Sequence, residues 1–244
     1  MSPRPIRLEG TYTALVTPFR DEPGQPIDWA ALDALIDAQI AAGITGLVPC
    51  GTTGESPTLS HEEHAQVVER TVKRTAHRAQ VIAGAGSNST REAIALVEHA
   101  ERAGADAVMV VVPYYNKPTQ EGLFRHFVSV AAKTTLPVVV YNVPGRCVVD
   151  LAPETLARIC SVAPNVMATK EATGNVLRAQ TLAQTLGDRL VILSGDDSLA
   201  LPMIAVGAHG VISVTSNVLP AEVSRVTRLA LDGKWDDARR AHLA

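Results

Sequence analysis

Residues Asn165 to Gly174 read NVMATKEATG. The stretch is a short run of apolar and small residues that ends on Lys170, with Glu171 next and a small-residue turn after it. A lysine at the end of a strand that reads as buried is costly, because its ammonium loses hydration there. One resolution is that the side chain snorkels out to solvent. The other is that it faces the inside of a closed sheet. Desolvation then lowers its pKa and leaves a free amine, a nucleophile toward carbonyls. Which of the two holds depends on what surrounds the stretch.

Working outward, the same kind of run recurs. TYTALVT begins at Thr11, ITGLVPC at Ile44, QVIAGAG at Gln80, DAVMVVVP at Asp106 and LPVVVYN at Leu136; after Lys170 come RLVILSG from Arg189 and HGVISV from His209. Between them lie Ala-rich segments such as WAALDALIDAQIAAG, TREAIALVEHAERAG and ETLARIC, with apolar residues at the i, i+3, i+4 spacing of a surface helix. Apolar strands alternating with helices predict a parallel sheet covered on its faces. Eight such units is the number that closes an α/β barrel, the (β/α)8 or TIM barrel. An open doubly wound sheet is the other arrangement of such units, but no GxGxxG opens the first helix.

The spacing places the barrel and its last outer helix within residues 1–231, that helix running from about Pro220 to Leu231. Residues 232–244 then read as the start of a further, truncated helical region. Trp235, Ala238 and Leu243 outline an apolar face with no partner foreseen in the chain.

Composition narrows the function classes. The 244 residues are 46% hydrophobic, enough for a sizeable core, and carry a formal charge of −3. That balance predicts neither nucleic acid nor an anionic membrane as partner. Cys50, Cys147 and Cys160 are far apart with no CxxC spacing, so neither a disulfide framework nor a zinc site is expected and a reducing, cytoplasmic setting fits. The opening MSPRPIRLEG has no apolar core of a secretion signal, and no run is long enough to span a bilayer.

In an α/β barrel the chemistry sits at the C-terminal ends of the strands. Here those ends carry Thr17, CGTTGES, GSNS, PYYNKP, YNVPGR, Lys170-Glu171, SGDD and SVTSN in order. Lys170 is the one lysine inside a strand end. CGTTGES lacks the GK[ST] of a nucleotide-binding loop, and its glycines, backbone N–H groups and hydroxyls suit a small carboxylate if the loop is more than a turn. Tyr141 could relay protons, and Arg146 could grip a carboxylate; taken alone they read better as a strand end and a surface charge. Asp196 and Asp197 read as caps of the helix that follows. His61 and His64 lack HExxH spacing and sit in the first turn of a helix whose capping box is Ser60 with Glu63. No metal site is expected.

GTTGES, PYYNKP, YNVPGR, TKEATGN, SGDD and GVISVTSN, in this order and spacing from about Gly10 to Leu231, resemble the dihydrodipicolinate synthase family of pyruvate-dependent class I aldolases. The resemblance implies a (β/α)8 barrel in which Lys170 forms the Schiff base and Tyr141 is the general acid and base. Thr52 would link Tyr141 to Tyr115, the latter reaching in from a neighbouring subunit of a homodimer or homotetramer. Thr53 and the backbone around Ile212 would hold the carboxylate of pyruvate, and Arg146 that of L-aspartate 4-semialdehyde. The implied activity is 4-hydroxy-tetrahydrodipicolinate synthesis on the route to diaminopimelate and lysine, a lyase reaction that needs no cofactor. Relatives that cleave sialic acid or sugar acids share the lysine and tyrosine but usually lack the arginine of YNVPGR. A sister aldolase and a non-catalytic barrel that binds a small acid are the rival readings. L-lysine is the expected effector, and Ser56, His61, His64, Asn88, Glu92 and Tyr114 match the family's effector positions. Pro57 is an unusual residue in that loop for the family.

Overall fold

A computed structural model describes residues 7–244; the opening MSPRPI lies outside the described residues. Eight parallel strands close into a barrel in sequence order: β1 (Gly10–Ala14), β2 (Gly46–Val48), β3 (Gln80–Gly84), β4 (Ala107–Val111), β5 (Val138–Asn142), β6 (Val166–Glu171), β7 (Val191–Ser194) and β8 (Gly210–Ser213). Most are apolar on both faces because the barrel interior covers one and a helix the other. Val138, Val139 and Val140 of β5 are all fully buried.

The seam that closes the ring explains a pair of glycines. Gly10 and Gly210 are register partners on β1 and β8. A Cβ on Gly210 would stand 2.0 Å from the Gly10 carbonyl oxygen, so no larger residue fits the two backbones at this distance.

The helices are α1 (Trp29–Ala41), α2 (His61–Thr75), α3 (Thr90–Ala103), α4 (Gln120–Ala131), α5 (Pro144–Cys147), α6 (Pro153–Val162), α7 (Val176–Leu186), α8 (Asp197–Ala205), α9 (Pro220–Leu231) and α10 (Trp235–His242). Their starts follow ordinary capping chemistry. Asp28, Ser89, Thr119, Asn175 and Asp196 each accept a backbone N–H of the first turn. The box foreseen at Ser60 and Glu63 forms reciprocally, Glu63 N to Ser60 Oγ at 3.2 Å and Ser60 N to Glu63 Oε2 at 2.8 Å. All three cysteines are buried free thiols. Among the described residues no helix is long and apolar enough to cross a membrane.

One expectation needs correction. The helix opened by Trp235 does have partners in the chain: α10 lies on α9 and also touches α8, and its Ala238 is fully buried. A small residue at that position lets the helix approach its neighbours closely. Trp235 and Leu243 remain exposed.

Candidate active site

The site is built from neighbouring strand ends. Tyr141 on β5 and Lys170 on β6 are register partners. In a pleated sheet such partners point the same way, and the Lys170 Nζ lies 4.4 Å from the centroid of the Tyr141 ring. Lys170 is 5% exposed, so the snorkelling alternative does not hold. Burial pulls its pKa down to about 8, with the Arg146 guanidinium acting in the same direction and the Asp197 carboxylate in the opposite one. Among the described residues Lys170 makes no ion pair. A large fraction of free amine at mildly alkaline pH is the consequence.

The Tyr141 phenol is pushed up by burial, while the Thr52 side chain and Arg146 draw it back down. Thr52 sits in a loop tied to the barrel. Glu55 N donates to Thr52 O at 3.1 Å, and Thr17 Oγ1 donates to Gly54 O at 2.7 Å. Gly54 lies so close to the first strand's exit that an added Cβ would be 2.8 Å from Leu15 O. The short helix α5 lifts Arg146 over the mouth, its side chain exposed. Thr53 is half-buried in the same loop as Thr52, and Ile212 is fully buried in β8.

A cleft of ≈ 580 Å³ opens beside these residues. Its lining includes Thr52, Tyr141 and Arg146 together with Ser56, His61, His64, Glu92 and Tyr114; Lys170, Thr53, Tyr115 and Ile212 are not part of it. Thr52 and Tyr141 of the expected catalytic set therefore share one continuous space with most of the expected effector set. His61 Nε2 is 3.3 Å from Glu92 Oε1, and Glu92 also accepts from Ser87 Oγ. His64 is 6% exposed and both its ring nitrogens lack partners; burial holds its pKa below the usual histidine value. Asn88 does not line the cleft, and its Nδ2 donates to the Tyr114 carbonyl at 3.2 Å.

Tyr115 stands apart. It has φ +71 and is 88% exposed, turned outward by a tight bend in which Asn116 N donates to Tyr114 O at 2.8 Å. Within one chain it does not reach Tyr141.

The structure separates the roles of the two aspartates of SGDD. Asp196 alone caps the helix. The Asp197 Oδ2 instead accepts from Val214 N and Thr215 N, both at 3.0 Å, on the loop after β8. The doubled aspartate of SGDD is its only trace in the sequence, and a capping pair looks the same.

The sequence model of the dihydrodipicolinate synthetase family matches residues 7–243. The chain belongs to this family. A 4-hydroxy-tetrahydrodipicolinate synthase of Sorangium cellulosum (strain So ce56) is 59% identical over 239 residues, 98% of this chain and 79% of that protein. Among solved structures, the chloride-inhibited dihydrodipicolinate synthase of Acinetobacter baumannii complexed with pyruvate is 42% identical with a TM-score of 0.94, over 97% of this chain and 80% of that one. A family member from Cyanidioschyzon merolae with lysine bound is 36% identical with a TM-score of 0.92, over 96% and 80% of the two chains.

Proposed function

We propose that the chain is a Schiff-base lyase that condenses pyruvate with L-aspartate 4-semialdehyde to 4-hydroxy-tetrahydrodipicolinate. The observation that carries this reading is a buried, unpaired lysine amine with a pKa of about 8, held in register beside a buried tyrosine.

In this reading the Lys170 amine adds to C2 of pyruvate. The hydroxyl so formed takes a proton from Tyr141 and leaves as water, and the nitrogen lone pair closes the C=N bond of an iminium. The iminium withdraws electrons, a methyl proton passes to the Tyr141 oxygen, and an enamine forms. The enamine carbon attacks the aldehyde of the second substrate, whose oxygen gains a proton. The substrate's own amine then replaces Lys170 at C2, which closes the ring and frees the enzyme. Thr53 and the backbone at Ile212 hold the carboxylate of pyruvate, and Arg146 holds that of the semialdehyde, an Arg–carboxylate pair being a strong charged contact.

Tyr115 completes the relay through Thr52 from a second copy of the chain, in a homodimer or homotetramer. Its outward turn in a single chain supports this reading. L-lysine acts as an effector in the part of the cleft lined by Ser56, His61, His64, Glu92 and Tyr114. Glu92 suits its ammonium there, and the lysine-bound relative supports the assignment. The barrel, residues 1–231, carries the chemistry, and residues 232–244 add a helical segment that packs on its last outer helix.

The test is mass spectrometry after borohydride reduction with pyruvate. One reduced pyruvyl group on Lys170 alone is expected. A label on Lys117, or none on folded protein, overturns the reading.

A further inference from the structure

Asp197 has two carboxylate oxygens in unlike settings. Oδ2 bridges Val214 N and Thr215 N, the first backbone donors after β8 and close in sequence to Ile212. Oδ1 is buried and has no hydrogen-bond partner among the described residues. A buried acceptor left unpaired costs free energy, so its retention calls for a reason. Asp197 is also the one carboxylate whose field favours a positive charge on Lys170, against burial and Arg146.

The loop that Asp197 grips is held from other sides too. Gln39 Nε2 donates to Ser216 O at 2.7 Å while Gln39 Oε1 accepts from Thr13 Oγ1 at 2.6 Å. Asn217 Nδ2 donates to Ala14 O at 2.8 Å, and Asn217 Oδ1 accepts from Val16 N at 3.1 Å. These neutral bonds tie the loop to β1 and α1. The Asp197 bridge adds a formal charge that neutral anchoring does not require.

We propose that Asp197 is a positioning residue with two tasks: Oδ2 fixes the Val214–Thr215 backbone beside the pyruvate carboxylate site, and Oδ1 is the counter-charge for the cation formed on Lys170. This rests on the Schiff-base reading above. Amine, carbonyl and one proton give iminium and water, and the nitrogen ends with one positive charge, as it does in the ammonium form. The Tyr141 ring of β5 lies 4.4 Å from this nitrogen, and the charges whose fields reach it are those of Asp197 at the start of α8 and Arg146 on α5. Asp197 is the only one that opposes the charge, so its loss destabilises ammonium and iminium alike and leaves the neutral amine unchanged.

A sharp pH signature results. Above the lysine pKa, pyruvate converts a neutral amine into a cation, and the counter-charge contributes to that step. Below it, one cation replaces another and the counter-charge cancels. The experiment measures the pyruvate concentration that half-labels Lys170, by brief borohydride quench and mass spectrometry, at pH 6 and pH 9. Asp197→Asn keeps an acceptor for the two N–H groups but removes the charge. It should raise the half-labelling concentration about tenfold at pH 9, one pKa unit's worth, and less than about threefold at pH 6. Asp197→Ala loses the bridge as well and should weaken pyruvate at both pH values. Asp196→Asn removes a cap carboxylate and should match wild type in both. If Asp197→Asn does not fold, Asp197→Ser carries the same test, its hydroxyl accepting one N–H.

Equal weakening at both pH values, or none at either, overturns the counter-charge role while wild type still labels. If wild-type protein takes no label on Lys170, the Schiff-base reading fails and this proposal falls with it.

Discussion

Lys170 and Glu171 are consecutive residues of one strand, both buried, and they are treated in opposite ways. Lys170 faces into the barrel and has no ion pair. Glu171 faces out toward α7 and is saturated with partners. It accepts from Arg178 Nε at 2.8 Å, from Thr173 N at 2.9 Å and, more loosely, from Asn142 Nδ2 at 3.5 Å. Arg178 in turn reaches Asp150 at 3.0 Å and the Leu151 carbonyl, while Asn142 binds Asp150 and Leu151 N. The outer network clamps the ends of β5 and β6, and with them the register that puts Tyr141 beside Lys170. A buried charge with every partner present is structure; one left without partners, beside a tyrosine that lines a cleft, is a reactive group.

The sharpest way to break this contrast is to remove the unpaired charge. Lys170→Met keeps much of the volume and removes the nucleophile, so kcat should fall by about 10⁴-fold or more. The same change should stabilise the fold. Displacement of the lysine pKa from 10.5 to about 8 corresponds to about 3 kcal/mol lost by the wild type below pH 8. The sign is that of a depressed lysine. The unfolded chain binds the extra proton between pH 8 and 10.5, so wild-type stability rises with pH across that window and the gap to the variant closes. Denaturant melts at pH 7 and pH 10 check this. A variant no more stable than wild type at pH 7 would mean that Lys170 is adequately paired after all.

Glu171→Ala tests the other half. It leaves Arg178 partly buried with one anionic partner gone, and breaking a buried pair costs about 3–5 kcal/mol. Urea melts should show a loss near the lower end, since Arg178 keeps Asp150 and Leu151 O. The folded fraction should still take the pyruvyl label on Lys170. Lost labelling with stability intact would move Glu171 into the chemistry.

Arg146 sharpens the contrast at the rim, where a charge is unpaired but exposed. Arg146→Ala should raise KM for aspartate semialdehyde by about 10–100-fold, the range of a charged hydrogen bond, and raise that for pyruvate much less. Steady-state kinetics with each substrate varied decides. Equal effects on both would contradict the assignment.

The barrel was legible in the sequence because its signals are local. Eight apolar runs bounded by turns gave the strands, and the last outer helix falls at Pro220–Leu231 as its periodicity indicates. Lys170 stood out because a lone lysine in an apolar strand breaks the pattern. What depends on register or on long-range partners was not legible. The position of Tyr141 opposite Lys170 is set by strand pairing, which no local signal reports. Asp197 meets backbone groups 17 and 18 residues away, and Glu171 belongs to a network spread over β5, α7 and the segment between α5 and α6. The short helix α5 reads as a proline turn. The face of α10 could be read, but not that α9 and α8 lie against it.

His126 is the intermediate case, a buried ionisable group with one partner. It lies in α4, its Nδ1 2.9 Å from Thr90 Oγ1 on α3, its Nε2 buried without a partner and its ring edge-on to Phe127. Burial lowers its pKa from 6.5 to about 4. The folded state thus keeps it neutral, and its contribution is fully present above pH 6.5. As pH falls from 6.5 toward 4 the unfolded chain takes up the proton first, and stability is lost by about 2 kcal/mol at pH 5. His126→Gln keeps a donor or acceptor for Thr90 and removes the titration. Its cost should be visible at pH 7 and shrink by about 2 kcal/mol at pH 5, a shift of a few degrees in relative melting temperature. His64 is also buried and unpaired but is present in both proteins, so it cancels in the difference. Parallel stability curves for wild type and His126→Gln between pH 7 and 5 would show that water reaches Nε2, and that one partner is enough to place a buried group on the structural side of the contrast.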